Sequence, residues 1–367
     1  MTIVTLSETQ SVLLYVFSVL LCISMMRKAQ KYDSKVLLWI VIVFLSCIIG
    51  FRYNVGKDYG NYSNAYNIIT AQPTIAAAHK WYSIEESFYV ISFLSKMLGG
   101  TSQYIFLFYG FFTTMFFLNG LWYFRNEIRI EWAAMSYCIL FFGSFNTIRQ
   151  YLAMSIIFWG FRFVVERKPI KYLMCVLVAL FFHTSAFVAV LIYFYGTQKS
   201  MAGKAIRKFN YILPFVLVIG TNKILAVLQK IGGGRLDNYT VRTHFGFGIV
   251  IQFAILWLFL HSSNQGNNSL LADNNKHFFV KQIIILSTIL CILDYTLGDA
   301  SRIRNYFSTI EMIVFGSLPS SIFKNNTNER FPVITYSDAF MLIYFFMFLF
   351  MGFINRDSWI YPYSCRL

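Results

Sequence analysis

Three arginines stand at the starts of apolar runs: Arg149 in SFNTIRQYLAMS, and Arg302 and Arg304 in SRIRNYF. An arginine facing the inside of a membrane bundle is costly unless it has a partner or a task. Its planar fork matches paired phosphate oxygens, and its charge is permanent. Three such groups from distant segments would suit a pyrophosphate clamp that needs no metal. His183, in FFHTSA, is the one histidine within a strongly apolar run. A neutral imidazole near pH 7 can take a proton from a hydroxyl. The plainer alternatives are arginines that snorkel or pair with Asp294 or Asp299, and a histidine that hydrogen-bonds between packed helices.

The stretch IGFRYNVGKDYGNY, residues 49–62, adds Arg52, Lys57, Asp58 and Tyr59 as candidate substrate contacts. Asp58, beside Lys57, is a rival to His183 as the base, although that neighbour favours a binding role. Tyr53, Tyr59, Tyr62 and Tyr66 could stack on sugar rings or form an interfacial aromatic belt. Gln150 and Asn146 flank Arg149, and Tyr306 follows Arg304. The 229–244 loop contributes Arg235, Asp237, Tyr239 and Arg242. No HExxH, DxD, Walker-type or GxGxxG pattern occurs, so neither a metal nor a cofactor is expected. GGG at 232–234 reads as a flexible turn.

The elements that must position these groups are membrane helices. Of 367 residues, 57% are hydrophobic and 13% charged, against roughly a quarter charged in soluble domains. Apolar runs recur throughout, so 1–367 is expected to form a single transmembrane domain. The net charge of +15 suits an anionic bilayer surface or a phosphate-bearing ligand. Nucleic acid is not expected, because the basic residues are scattered through short loops. Five of the six cysteines lie in apolar runs and read as packing residues. MTIVTLSETQ carries no basic residue, so the first apolar run should remain as a span.

A span needs about 20 apolar residues. The runs 11–26, 35–50, 103–123, 147–165, 209–228, 245–261, 277–297, 303–323 and 333–354 meet this approximately. The run 132–143 is short. The run 172–195 is either one long helix or two short ones meeting at His183. Basic clusters at 27–35, 162–171 and 196–208 favour the cytoplasm, and only a break at His183 puts the last two on one side. The result is an all-α polytopic protein of about 12 membrane helices, some short or broken. In it, 51–102 is an outer loop holding a re-entrant or interfacial helix at 86–98, with Ser92, Ser95 and Lys96 on its polar stripe. The 229–244 loop is also outside, and 262–277 is a flexible cytoplasmic loop. Both termini come out on the outer side. Broken helices are tolerated in a bilayer only around protein or water, so a wet outer cavity is expected. No internal repeat supports a repeat-built transporter.

FRYNVGKDYGNY resembles the R-Y-x-V-G-x-D-Y-x-x-Y signature of EpsG-like and Wzy-type polysaccharide polymerases. NTIRQYLAMSI is similar to their I-R-Q-x-[LI]-A segment, FFHTSA to their H-[TYS]-S element, and SRIRNYF to their late R-x-x-x-Y-F. The order is kept from about residue 45 to 310. The resemblance implies a bacterial inner-membrane glycosyltransferase of GT-C-like fold acting on the periplasmic face. Its donor and acceptor would be undecaprenyl-pyrophosphate-linked repeats, with membrane lipid and a chain-length regulator protein as further partners. It carries function to Arg52, Asp58, Arg149, His183 and Arg302; Lys57 and Arg304 are added on local chemistry alone. A lipid-linked oligosaccharide flippase, an O-antigen ligase and a non-catalytic scaffold are the rival readings.

Overall fold

A computed structural model of the chain describes residues 3–197, 201–208, 246–296, 301–320, 335–353 and 360–366. The expected span 209–228 and the 229–244 loop with Arg235, Asp237, Tyr239 and Arg242 lie outside the described residues, as does Asp299. Among the described residues, five helices are long and apolar enough to cross a membrane and five shorter helices are also apolar. The protein is an all-α, multi-pass membrane protein.

Helix α1 (Glu8–Lys31) begins at a reciprocal cap: the Ser7 hydroxyl accepts from the Gln10 amide and the Gln10 side chain accepts from the Ser7 amide. Its 24 residues run about 36 Å, more than the ~30 Å hydrocarbon core. Helix α2 (Lys35–Gly50) returns. A polar-edged layer follows, α3 (Tyr59–Thr70), α4 (Ile75–Ala78) and α5 (Glu86–Met97), leading into α6 (Ser102–Tyr123). The expected helix at 86–98 is therefore present as α5, while α3 was not foreseen. Helix α6 packs between α2 and α8 (Ile148–Val165). Gly110 permits the close approach to α2, since a Cβ there would lie 1.7 Å from Ile49 Cγ2. Helix α7 (Ile130–Gly143) packs on α1 and is as short as its apolar run predicts.

The 172–195 run breaks where expected. Helix α9 (Pro169–Phe182) ends at His183, whose backbone is extended, and a 3-10 turn (Thr184–Ala189) leads into α10 (Val190–Gly196). The Tyr172 and Tyr193 rings stack at 6.0 Å and Tyr172 OH donates to the Ala189 carbonyl at 2.7 Å. The two half-helices thus form a hairpin with His183 at its apex. A short α11 (Met201–Lys208) follows.

Helices α12 (Phe247–Asn264) and α13 (Asn274–Thr296) match the expected spans. The connection between them is pinned rather than loose: Asn268 and Leu270 are buried, and the Asn268 amide donates to Ser262 and Ser317 hydroxyls at 3.1 and 3.3 Å. The run 303–323 corrects the expectation of one span. It divides into α14 (Ser301–Ser308) and α15 (Glu311–Ser317), and Leu318 is extended. The joint is polar: Thr309 is buried there, and Glu311, largely shielded, pairs with Arg304 at 3.8 Å. Helix α16 (Tyr336–Phe353) completes the bundle.

Polar groups collect at two ends. At one lie 27–33, 125–131, 167 and 269–276, tied by Arg125–Asp33 (3.0 Å), Arg27–Glu131 (3.1 Å) and Arg167–Asn275 (2.8 Å). At the other lie 51–58, 144–150 and His183. Strands β1 (Ile3–Thr5) and β2 (Ser364–Arg366) pair antiparallel at that second end. Tyr53 N–H donates to the Ser364 carbonyl at 2.8 Å, so both end segments sit beside the Arg52 stretch.

Candidate active site: a glutamate–histidine–arginine cleft

Arg149, His183 and Arg302 line one open cleft of about 560 Å3, with Ser83, Ile84, Glu85, Glu86, Leu180, Phe181 and Thr184. The three residues come from the start of α8, the break after α9 and the start of α14. Sequence reasoning missed the residue that joins two of them. Glu85 Oε1 lies 2.7 Å from His183 Nδ1, and Glu85 Oε2 pairs with Arg149 Nη1. All three side chains are largely shielded, Glu85 and His183 being 14% exposed and Arg149 21%. Arg302 is exposed to the cleft and forms no ion pair among the described residues.

The local fold explains why Glu85 is free to do this. It stands at the N-cap of α5, yet its side chain makes no cap hydrogen bond. The positive end of the α5 dipole still favours a carboxylate there. Arg149, by contrast, sits at the N-terminal end of α8, where a cation is disfavoured; Glu85 offsets that cost. Glu86, also on the cleft wall, lies 3.3 Å from His79 rather than against Arg149 or His183. With its Nδ1–H donated to Glu85, His183 keeps a lone pair on Nε2, which is buried with no hydrogen-bond partner among the described residues. Arg149 Nε is likewise without an acceptor, and its guanidinium lies 5.6 Å from the Tyr62 ring centroid.

Two predicted contacts lie behind the cleft. Gln150 is buried and donates from Nε2 to the Arg302 carbonyl at 3.0 Å, fastening α14 to α8. Tyr306 is fully buried and its hydroxyl accepts from Ser185 at 3.2 Å, fastening α14 to the His183 break. Arg304, two residues beyond Arg302, points elsewhere: it bonds Gln252 Oε1 at 2.8 Å and pairs with Asp294 at 3.5 Å and Glu311 at 3.8 Å.

The first motif is a clamp on the turn that presents Arg149. Arg52 is fully buried; its guanidinium donates to the Ile49 and Phe145 carbonyls at 3.1 and 2.9 Å and lies between the Phe106 and Phe145 rings. Burial lowers the pKa of this guanidinium to about 10, which leaves it cationic at neutral pH. Lys57 N–H donates to Asn146 Oδ1 at 2.6 Å, while its side chain is exposed. Gly56 has φ +101°, and a Cβ there would meet the Phe145 carbonyl oxygen at 2.6 Å. Tyr59 is buried, stacked on Phe106 at 4.3 Å. Asp58 is the N-cap residue of α3 and is half-buried. None of Arg52, Lys57, Asp58 and Tyr59 lines the cleft.

Fold and site together define a multi-pass membrane protein with a cleft at one polar end, furnished with a histidine, two glutamates and two arginines. The family model of the EpsG family matches residues 35–365, and the chain belongs to that family. The match extends beyond the 45–310 covered by the four motifs, into the β2 strand beside the Arg52 stretch. Family membership points to a glycosyltransferase-like polymerase of the membrane. No curated protein and no solved structure matches the chain.

Proposed function

We propose that the protein is a polysaccharide polymerase of the bacterial inner membrane. It would transfer a growing glycan from undecaprenyl pyrophosphate to the non-reducing end of another lipid-linked repeat, with inversion at the anomeric carbon. The observation that carries this reading is the convergence of Arg149, His183 and Arg302 on one cleft with Glu85 bonded to His183.

In this reading His183 Nε2, shielded before substrate binds, opens to the cleft as the acceptor is seated and takes its hydroxyl proton, and Glu85 holds the ring in the tautomer that leaves Nε2 without a proton. The acceptor oxygen forms its bond to the anomeric carbon as the bond to pyrophosphate breaks. Negative charge grows on the leaving pyrophosphate, and Arg149, held by Glu85, and Arg302, open to the cleft, meet it with permanent charge, so no metal is called for. Arg149 is already paired with Glu85, which keeps its guanidinium oriented before substrate arrives. Arg52, first expected to touch phosphate, instead holds the Phe145 turn from which Arg149 projects. The cleft would face the periplasm, with the basic loops at the opposite end in the cytoplasm.

The test is complementation of a polymerase-null strain by His183→Ala, Arg149→Ala and Arg302→Ala, read as the glycan ladder on a gel at equal protein level. Each variant should lose the ladder, since removing one preorganised group commonly costs ~10²-fold or more in rate. Full ladders from all three would overturn the assignment. A flippase would use the same arginines without a base, and purified wild-type protein would then fail to polymerise lipid-linked repeats in detergent.

A further inference from the structure

A second concavity lies at the opposite polar end, far along α1 from the cleft. It is an open groove of about 1530 Å3 between α1 and the segment leading into α7. Its apolar wall is Phe17, Leu20, Leu21 and Ile23, of which Phe17 and Leu20 are 55% and 60% exposed. Its polar rim carries Arg27, Lys28, Lys31 and Arg129 against Glu127 and Glu131. Both carboxylates are already engaged, Glu131 with Arg27 at 3.1 Å and Glu127 with Lys276 at 2.5 Å. Lys28 and Lys31 form no ion pair among the described residues, and both are exposed. The rim therefore presents uncompensated positive charge.

Depth selects the occupant. The ~36 Å of α1 exceeds a ~30 Å hydrocarbon core, so its last turn, with Lys28 and Lys31, and Arg27 just before it, emerge at the level of lipid headgroups. The wall from Phe17 to Ile23 lies one to three turns deeper, at the level of acyl chains. The groove thus changes from apolar to cationic along the membrane normal, as a phospholipid changes from chain to phosphate. We infer that this groove is a binding site for one anionic phospholipid, its acyl chain along Phe17 and Leu20 and its phosphate between Lys28, Lys31 and Arg129. This site is independent of the glycan chemistry at the other end.

The full-length protein is purified in mild detergent and titrated with phosphatidylglycerol, phosphatidylethanolamine or inorganic phosphate, with bound lipid counted by native mass spectrometry. Wild type should retain one phosphatidylglycerol in preference to phosphatidylethanolamine, and inorganic phosphate should not displace it. Each cation is worth about fivefold, so Lys28→Gln/Lys31→Gln should weaken retention about 25-fold. Leu20→Cys labelled with a bimane fluorophore gives a second readout: brominated phosphatidylglycerol should quench it more than brominated phosphatidylethanolamine. Equal retention of the two lipids, or unchanged retention by a monodisperse double variant, would overturn the site. Displacement by inorganic phosphate would overturn the lipid as its ligand.

Discussion

At the scale of single residues, the informative group is Glu85. It stands at the N-cap of α5 without bonding the helix backbone, and its two oxygens go to His183 and Arg149. A carboxylate that leaves the helix end uncapped and orients a ring and a guanidinium is placed for the site rather than for the helix. Glu85→Gln should therefore lower polymerisation by about two orders of magnitude while the protein remains in the membrane. The coupling is the sharper test. Because Glu85 also holds Arg149, Glu85→Gln/His183→Ala should be slower than His183→Ala alone, but by less than the full factor that Glu85→Gln costs the wild type. Losses that multiply in the double variant, measured on purified protein with lipid-linked repeats, would separate the two residues.

At the scale of elements, what could be read from sequence depended on polar interruption of apolar runs. FFHTSA interrupts a long run with three polar residues, and the chain does break at His183. The joint between α14 and α15 is harder to read, because Thr309 and Glu311 lie inside a run that is otherwise long enough to span; only the partner Arg304 explains why the chain gives way there. Glu85 was illegible for the opposite reason: a glutamate in a polar loop gives no signal until α5 packs beside α9. The Arg52 stretch was legible as a motif and not as a clamp, since its bonds reach residues more than 80 positions away. The clamp has its own consequence. Gly56→Ala forces a side chain onto a positive φ and against the Phe145 carbonyl, a strain of about 1–3 kcal/mol. It should displace the turn before Arg149 and lower activity, whereas Gly60→Ala, with nothing within 4 Å of its added methyl, should behave as wild type. Ladder assays at matched protein level compare the two.

At the scale of the whole molecule, the two polar ends are related by a simple count. Helix α1 carries the chain from the end with β1 to the Lys28–Asp33 turn, and α2 carries it back to Arg52, where β1, β2 and residues 51–53 bond together. The dense basic clusters at 27–35 and 162–171 meet the other end, as Arg125–Asp33 and Arg167–Asn275 show. A bilayer between the ends would place Lys57 and Lys28 in different compartments whatever the orientation, and the excess of lysine and arginine predicts the cytoplasm for Lys28. Site-directed labelling measures this directly. Cys365 and Cys47 sit half-buried near Arg52, so both are first replaced by serine to silence that end. In this background, Lys57→Cys should react with an impermeant maleimide in cells whose outer membrane has been opened. Lys28→Cys and Lys204→Cys should react only after the inner membrane is permeabilised. Labelling of Lys28→Cys and Lys57→Cys from the same side would break the two-ended arrangement itself. The reverse pattern, with Lys28→Cys reacting from outside, would keep the fold and turn the cleft to the cytoplasm, where a periplasmic polymerase could not use it.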